Sequence, residues 1–297
     1  MRLSALLRVL VVCAAMMAGP ATFSQTVPTA IITDPPRDPA NPARMEVIHI
    51  PSGGEIINGI IYVAAGKGPH PTFVLFHGLP GNERNLDLAQ AIRRAGWNVV
   101  AATYRGAWGS GGAFRFSNNL EDAKATLAFV RDPTNAAKLG IDASRIAIGG
   151  HSMGGWVTAH TLASDPALLG GVIISAGDFG RIGMWARRDH AAVAARMNDN
   201  RESLARVTGD SMADELANHA EAWSLIGIAP RLADRQLLVL YSEDFVKADS
   251  VSLIAAINKL PKSKMTSAYV PTDHSWSDAR IALETQVIDW LAAFISR

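Results

Sequence analysis

The sequence predicts an α/β fold with a mostly parallel central sheet and helices on both faces. From residue 72 onward, short apolar runs alternate with longer segments that carry apolar residues at helical spacing. The short runs are continuously apolar instead of alternating, which is typical of strands buried on both faces. The chain has 297 residues and is 48% hydrophobic, so it is long and apolar enough to build a large core.

The predicted elements follow one another regularly along the chain. Two β-rich runs, 45–50 and 55–64, flank Ser52-Gly53-Gly54 and predict a hairpin. Further strands are predicted at 72–76, 97–103, 145–149, 171–175, 236–241 and 265–270. Helices are predicted between and after them at 82–95, 118–131, 153–164, 250–259 and 277–295. The last helix, for example, places Leu283, Val287, Leu291 and Phe294 on one face.

One long segment interrupts this alternation. Residues 176–235 show helical periods but no strand, and a single connection between a strand and a helix needs far fewer residues. The segment contains two tryptophans and three methionines, namely Trp185, Trp223, Met184, Met197 and Met212. We expect a helical insertion that caps a site. The alternative is a set of helices packed on the edge of the sheet.

Charge and composition exclude several classes of function. Lys and Arg total 28 and Asp and Glu total 27, a balance that argues against nucleic acid as a partner. Gly106–Gly112 is glycine-rich but lacks the Gly-Lys-Ser/Thr ending of a phosphate-binding loop, so we expect a loop beside the site. No dinucleotide fingerprint opens a helix after the first parallel strand.

The N-terminus has the layout of a secretory signal peptide. Arg2 and Arg8 precede an apolar run at 9–18, and Pro20 and small residues lead to Ser24. A membrane anchor is the alternative, but this run is about half the ~20 residues that a span needs. A lipoprotein signal at Cys13 is disfavoured because the preceding Val12 is bulky. We therefore expect cleavage after Ser24 and a periplasmic or secreted protein without a membrane span.

Cleavage would leave a chain without cysteine. The signal peptide holds two basic residues and Cys13, so the mature chain would have 26 basic and 27 acidic residues. It could form no disulfide and would have no thiol nucleophile. Five prolines in 25–44 favour an extended linker, which would leave 45–297 as the folded domain.

The strongest chemical signal is Gly150-His151-Ser152-Met153-Gly154. It has the form Gly-x-Ser-x-Gly and lies where a predicted strand ends and a predicted helix begins. Such a turn exposes the Ser152 hydroxyl, and glycines are needed where a Cβ would collide with the turned backbone. The Met153 N–H opens the helix and is a candidate donor to an oxyanion. The alternative is a purely structural turn.

A serine nucleophile needs a base and an acid, in the chain order Ser, Asp/Glu, His. His274 is the only one of the eight histidines that follows the last predicted strand, and it is the candidate base. The alternative for His274 is a surface loop histidine. His151 flanks the serine, and turn geometry directs it away, so we interpret it as structural. The remaining histidines show no metal-ligand spacing.

Three carboxylates compete for the role of the acid. Asp244 lies about three residues past the strand 236–241 and is preferred, with Glu243 and Asp249 as alternatives. The acid is expected to orient the imidazole and stabilise its charge without taking its proton.

The second oxyanion donor is expected in the loop after strand 72–76. This loop reads His77-Gly78-Leu79-Pro80-Gly81, and its glycines allow close backbone approach. The Leu79 N–H is the candidate donor. A turn that only caps the next helix is the alternative.

These motifs together resemble the α/β-hydrolase superfamily over nearly the whole mature chain. Tyr104-Arg105-Gly106, Arg145–Gly155, the loop 77–81 and His274-Ser275-Trp276 are similar to prolyl oligopeptidase-type and dienelactone-hydrolase-like proteins. The resemblance implies an α/β-hydrolase fold and a triad of Ser152, Asp244 and His274 with oxyanion donors at Leu79 and Met153. Prolyl oligopeptidases proper carry a propeller domain for which this chain has no room, and the short exported form is closer to small esterase-like members.

The expected function is that of an exported serine hydrolase that cleaves a carboxylic ester through an acyl-enzyme. A peptidase, amidase or thioesterase with the same triad is the first alternative, with a peptide-like small molecule as substrate. A non-catalytic binding protein on the same fold is less favoured, and so is a cofactor-free lyase or perhydrolase. No feature calls for a metal or an organic cofactor.

Overall fold

The computed structural model describes residues 26–295. The predicted signal peptide, 1–24, lies outside the described residues. In the part that is described, eight strands form one sheet in the order β1-β2-β4-β3-β5-β6-β7-β8. The strands are β1 (Arg44–Ser52), β2 (Glu55–Val63), β3 (His70–Phe76), β4 (Asn98–Ala102), β5 (Ile141–His151), β6 (Gly171–Ile174), β7 (Leu237–Ser242) and β8 (Met265–Val270).

The sheet is parallel from β4 through β8. β1 and β2 form the predicted hairpin, and β2 pairs antiparallel with β4. All further neighbours pair in parallel, so the carboxyl ends of β3, β5, β6, β7 and β8 lie along one edge. The predicted fold class is therefore confirmed, and this edge is where loops from several strands can meet.

Helices cover both faces of the sheet. The helices outside the long insertion are α1 (Thr29–Ile32), α2 (Leu86–Arg94), α3 (Phe116–Arg131), α4 (Pro133–Leu139), α5 (Met153–Ser164), α10 (Lys247–Asn258) and α11 (Arg280–Ala292). Buried residues of α2 and α11 pack on one face, and those of α3, α5 and α10 pack on the other. Because each face buries its own apolar cluster, the parallel strands are covered on both sides, as their apolar sequences require.

The insertion between β6 and β7 contains four helices. They are α6 (Phe179–Ala186), α7 (His190–Asn198), α8 (Gly209–Asn218) and α9 (Leu225–Leu232). Met197, Met212 and Trp223 from this segment are buried in the same apolar cluster as α5. The insertion is thus packed on the body of the domain through a shared core.

Several element boundaries differ from those predicted. α2 begins at Leu86 and not at 82, because Asn85 before it has a left-handed backbone with φ 54°. α4 was not predicted, since only seven residues form it, with Pro133 at its start and the Asp132 side chain accepting from the Asn135 amide at 3.0 Å. Within the Pro-rich segment, Thr29–Ile32 forms one helical turn that Arg94 holds through hydrogen bonds to the carbonyls of Ala30 and Ile31.

A buried ion pair fixes the hairpin to the body of the domain. Asp122 of α3 accepts hydrogen bonds from Ser52 Oγ at 2.5 Å, from the Arg105 amide at 2.8 Å and from Arg105 Nε at 2.7 Å. These contacts join the turn of the hairpin to the loop that follows β4. Among the described residues, no helix is long and apolar enough to cross a membrane.

Candidate active site

Ser152 occupies the sharp turn between β5 and α5. Its backbone has φ 56° and ψ −119°, an uncommon conformation for a residue with a side chain. The flanking glycines are required by close packing. A Cβ on Gly150 would lie 2.3 Å from the Gly154 carbonyl oxygen, and one on Gly154 would lie 2.1 Å from the Phe76 carbonyl oxygen. The turn therefore has the geometry that the Gly-x-Ser-x-Gly pattern predicts.

His274 and Asp244 meet in loops that follow neighbouring strands. His274 lies after β8 and Asp244 lies after β7, and their Nδ1 and Oδ2 atoms are 2.8 Å apart. The Asp244 side chain is 2% exposed and that of His274 is 21% exposed. A carboxylate can only accept, so Nδ1 carries a proton, and Nε2 is the nitrogen that serves as an acceptor whenever the ring holds a single proton.

Hydrogen bonds keep the Asp244 carboxylate ionised. Burial by itself raises the pKa of Asp244, but the bonds from His274 and Ser242 outweigh it and hold the pKa below its ordinary value. The Val246 amide also donates to this carboxylate, at 2.9 Å. Asp244 is therefore a negatively charged partner for the imidazole at neutral pH.

The two alternative acids bind other partners. Glu243 accepts from Lys247 Nζ and from the Tyr269 hydroxyl, each at 2.5 Å. Asp249 lies within α10 and accepts from the Arg181 guanidinium and the Asp178 amide. The structure thus brings Asp244 to the imidazole and directs the other two carboxylates elsewhere.

A chain of three hydrogen bonds leads from Trp276 to the Asp244 carboxylate. The Trp276 indole N–H donates to Ser175 Oγ at 3.1 Å, Ser175 Oγ lies 2.8 Å from Ser242 Oγ, and Ser242 Oγ donates to Asp244 at 2.7 Å. Since the first link is a donor and the last is a carboxylate, each hydroxyl accepts from one neighbour and donates to the next. This chain links the ends of β6 and β7 to the loop after β8. It joins residues far apart in the sequence, which is why sequence reasoning missed the two serines.

His151 anchors the loop that carries His274. Its Nε2 lies 2.7 Å from the His274 carbonyl oxygen, and the two imidazole rings are 4.7 Å apart between centroids. A carbonyl accepts only, so Nε2 is the donor. Burial, reinforced by the neighbouring His274, lowers the pKa of His151 to about 3, so its ring stays neutral. The sequence suggested a structural role for His151, and in the structure this residue holds the loop that carries His274.

The two candidate oxyanion donors, Leu79 and Met153, lie on different elements. Met153 is the first residue of α5, where an amide N–H has no partner within the helix. Gly78 lies against the serine, because a Cβ built on it would be 3.1 Å from Ser152 Cβ. The adjoining Leu79 is partly buried against the core. The Pro80 carbonyl accepts from the Trp108 indole N–H at 2.7 Å, which holds this loop in place.

The insertion reaches the same loop. Ser203 Oγ donates to the Pro80 carbonyl at 3.2 Å, and Asn82 Nδ2 donates to Glu202 at 3.0 Å. A short backbone bridge joins Ala107 to Leu204. The glycine-rich loop at 106–112 is therefore paired with the insertion. These contacts place one connecting segment of the insertion, between α7 and α8, beside the candidate oxyanion loop.

An exposed aromatic ring lies over the candidate base. Phe245 follows Asp244, is 63% exposed, and has its ring centroid 4.4 Å from that of His274. The Arg196 guanidinium from α7 lies 5.1 Å from the Phe245 centroid. No spacing in the sequence marks Arg196, because it reaches the site only through the packing of the insertion. Among residues 26–295, no group of three His, Cys, Asp or Glu side chains is arranged to hold a metal ion.

Comparison with known families decides the classification. The model of the alpha/beta hydrolase family matches residues 73–290, which is more than half of the chain. The chain belongs to the alpha/beta hydrolase family. The enzyme is therefore a hydrolase, and the resemblance seen in its motifs is confirmed.

Solved structures show the same fold. An esterase of Pyrobaculum calidifontis matches with a TM-score of 0.64 and 19% identity, over 86% of this chain and 88% of that one. Brefeldin A esterase, a bacterial protein, matches with a TM-score of 0.61 and 19% identity, over 93% and 87%. The Pyrococcus horikoshii acylaminoacyl peptidase matches with a TM-score of 0.63 and 16% identity, over 84% of this hydrolase but only 41% of the peptidase.

Proposed function

We propose that this hydrolase is an exported serine esterase that cleaves a carboxylic ester through Ser152, His274 and Asp244. The observation that carries the proposal is the 2.8 Å contact between His274 and Asp244 in a loop that is itself bonded to the residue preceding Ser152. A nucleophile, a base and an orienting acid on adjacent loops are what acyl transfer by serine requires.

The reaction follows from the proton positions. Ser152 Oγ attacks the ester carbonyl carbon while its proton passes to His274 Nε2, and Asp244 stabilises the resulting imidazolium. The Leu79 and Met153 N–H groups donate to the carbonyl oxygen as it becomes negative. The C–O bond to the alcohol then breaks, and the alcohol leaves with the proton from His274. Water attacks the acyl-enzyme in the same way, which releases the acid and restores Ser152.

An ester is the preferred substrate because the two esterases compared above match this chain over most of their own length. The two esterases are covered over 87% and 88% of their lengths, so this chain spans nearly the same architecture. The acylaminoacyl peptidase is covered over 41%, which leaves most of that protein without a counterpart. The likeness of this chain to the matched part of that peptidase supports a peptidase, amidase or thioesterase as the second candidate. A binding protein that lacks catalysis is the remaining alternative.

The first test is labelling of the purified mature protein with a fluorophosphonate, read by intact mass. We expect one adduct on the wild type and on a Ser252→Ala control, in which an exposed helical serine is removed, and none on Ser152→Ala. Absence of an adduct on folded wild type, or its persistence in Ser152→Ala, would refute the proposal. Turnover of nitrophenyl esters against aminoacyl-anilides then separates the esterase from the peptidase.

Export is a separate part of the proposal. It is supported by the charged, apolar and small-residue layout of positions 1–24. Intact mass of the protein recovered from the periplasm or the medium is expected to correspond to a chain that begins at Gln25. Recovery of only the full-length chain from the cytoplasm would contradict it.

A further inference from the structure

Trp276 lies two residues after the candidate base and is completely buried. It belongs to the apolar cluster that α2 and α11 form on one face of the sheet. Its backbone is left-handed, with φ 58°, a region that bulky residues rarely adopt. Such a conformation persists only where the surrounding contacts impose it, and it is found most often at functional sites. The contacts of this side chain therefore point to a role beyond packing.

The Trp276 indole closes a loop of contacts around the candidate acid. Its N–H donates to Ser175 at 3.1 Å, Ser175 and Ser242 lie 2.8 Å apart, and Ser242 donates to Asp244 at 2.7 Å. Asp244 also accepts from His274, and one residue separates His274 from Trp276 along the chain. The loop that carries the base is thereby tied to the ends of β6 and β7. We refer to Trp276, Ser175 and Ser242 as the indole network.

Every proton of the indole network has one destination. An indole N–H can only donate and a carboxylate can only accept, so Ser242 gives its proton to Asp244 and accepts one from Ser175. All three side chains of the network are fully buried, and bulk water does not compete for these bonds. Hydrogen bonds in such a series strengthen one another, so the loss of the first link weakens the last.

The indole network ends on the carboxylate oxygen that faces the base. Ser242 Oγ and His274 Nδ1 both bond to Asp244 Oδ2. The Val246 amide donates to the other oxygen, Oδ1, at 2.9 Å. A donor from the protein frame on each oxygen fixes the rotation of the carboxylate. Without the bond from Ser242, only the imidazole itself would hold Oδ2.

We propose that Trp276 is a positioning residue of the triad. Its indole N–H orients Ser175 and, through it, Ser242. Ser242 in turn keeps Asp244 directed at the imidazole, while the same indole anchors the loop that carries His274. The proposal rests on the triad of the proposed function and gives Trp276 no contact with the substrate.

Trp97 provides a matched control for the loss of packing. It is also fully buried and belongs to the same apolar cluster as Trp276. Its indole N–H, however, has no hydrogen-bond partner among the described residues. Replacement by Phe therefore removes a similar volume at both positions but breaks a hydrogen bond only at Trp276.

The first test is steady-state hydrolysis of a nitrophenyl ester. We expect kcat of Trp276→Phe to fall about tenfold with KM changed less than about threefold, the size that one lost buried hydrogen bond gives. Trp97→Phe changes packing alone, and its kcat is expected within about twofold of wild type. Equal losses in the two variants, or an unchanged kcat in Trp276→Phe, would overturn the proposal.

A double-mutant cycle tests whether Trp276 acts through Ser175. If it does, Trp276→Phe costs little once the next link is broken. We expect Trp276→Phe to lower kcat by less than about threefold in the Ser175→Ala background, compared with about tenfold in wild type. A full tenfold further loss would show that the two residues act independently, which contradicts the proposed network.

Proton NMR of Ser152→Ala separates this proposal from the proposed function. The far-downfield resonance of the His274 Nδ1 proton, assigned by its absence after His274→Gln, reports the bond to Asp244 without catalysis. We expect it unchanged when Trp97→Phe is added and shifted upfield or lost when Trp276→Phe is added. An unchanged resonance with Trp276→Phe overturns the positioning role, even if wild type hydrolyses no ester and the esterase proposal fails.

The folding of each variant is verified by far-UV circular dichroism. If Trp276→Phe does not fold, Ser175→Ala replaces it in the kinetic and NMR measurements, because it breaks the same network without removing a ring. We expect the same tenfold loss of kcat and the same change in the resonance. Retention of both wild-type values in folded Ser175→Ala would overturn the proposal.

Discussion

His151 donates a hydrogen bond from Nε2 to the backbone carbonyl of His274 at 2.7 Å. The residue before the candidate nucleophile thereby holds the loop that carries the candidate base. Because both rings also pack together, this contact sets the distance between two loops that come from different strands.

Replacement of His151 is expected to impair turnover more than binding. His151→Phe keeps a ring in the buried site but removes the donor, so the His274 loop can shift relative to Ser152. We expect kcat to fall about 10- to 100-fold, with KM changed less than threefold, since misplacement by ~1 Å is enough for such a loss. Steady-state kinetics on a nitrophenyl ester measure the split. A KM increase with unchanged kcat would assign His151 to substrate binding instead.

Asp244→Asn is expected to reduce kcat by about 10³- to 10⁴-fold. An amide at this position favours the imidazole tautomer with the proton on Nε2, which cannot accept the serine proton. Glu243→Gln is the matched control, because Glu243 binds Lys247 and Tyr269 instead of His274. Its activity is expected within about twofold of wild type. Equal losses in both variants would show that the acid has been misassigned.

The two buried histidines near the site make the fold sensitive to acid. The pKa values of His77 and His151 fall from 6.5 to about 4 and about 3, so the unfolded chain binds protons at pH 5 that the native protein does not. The contribution of each histidine to the free energy of unfolding is therefore complete above pH 6.5 and is lost as the pH falls. The loss is about 2 kcal/mol per histidine between pH 7 and 5. Urea unfolding at both pH values measures this loss. In His151→Phe, the loss of unfolding free energy between pH 7 and 5 is expected to be smaller by about 2 kcal/mol. An unchanged loss would contradict the conclusion that the native protein keeps His151 neutral.

The buried Asp122 is expected to contribute strongly to stability. Asp122→Ala leaves the Arg105 guanidinium without its buried partner and removes the acceptor of Ser52, so we expect a loss of about 3–5 kcal/mol. Glu121→Gln breaks the other ion pair of the same arginine, but Glu121 is 62% exposed, and the expected loss is below about 1 kcal/mol. Urea denaturation compares the two. Similar losses would show that burial does not decide the strength of these pairs.

Phe245 is expected to act on catalysis through its contact with His274. Phe245→Ala removes an apolar wall 4.4 Å from the imidazole, so we expect kcat/KM for aromatic esters to fall ~3- to 10-fold. Ile281→Ala, at an exposed apolar residue on α11, provides the control and is expected to leave kcat/KM unchanged. If Phe245→Ala matches this control, the ring makes no contribution to the reaction.

Much of the fold could be predicted because its signals are local. The helix at Met153–Ser164 and the strand at Met265–Val270 were predicted at their observed ends, since apolar spacing and the glycine turn define them within a few residues. The start of α2 and the existence of α4 were missed. Those features depend on one left-handed residue and on a short capped turn, which carry little periodic signal.

By itself, the sequence determined the order of the eight strands along the chain, the serine turn and the histidine that follows the last strand. Each of these follows from chain order and from backbone sterics at a few neighbouring residues. Only the tertiary structure decided which carboxylate meets His274, how Trp276, Ser175 and Ser242 support it, and which side of the site the insertion contacts. Those relationships join residues that are distant along the chain, and side-chain packing and hydrogen bonding bring them together only when the sheet has formed.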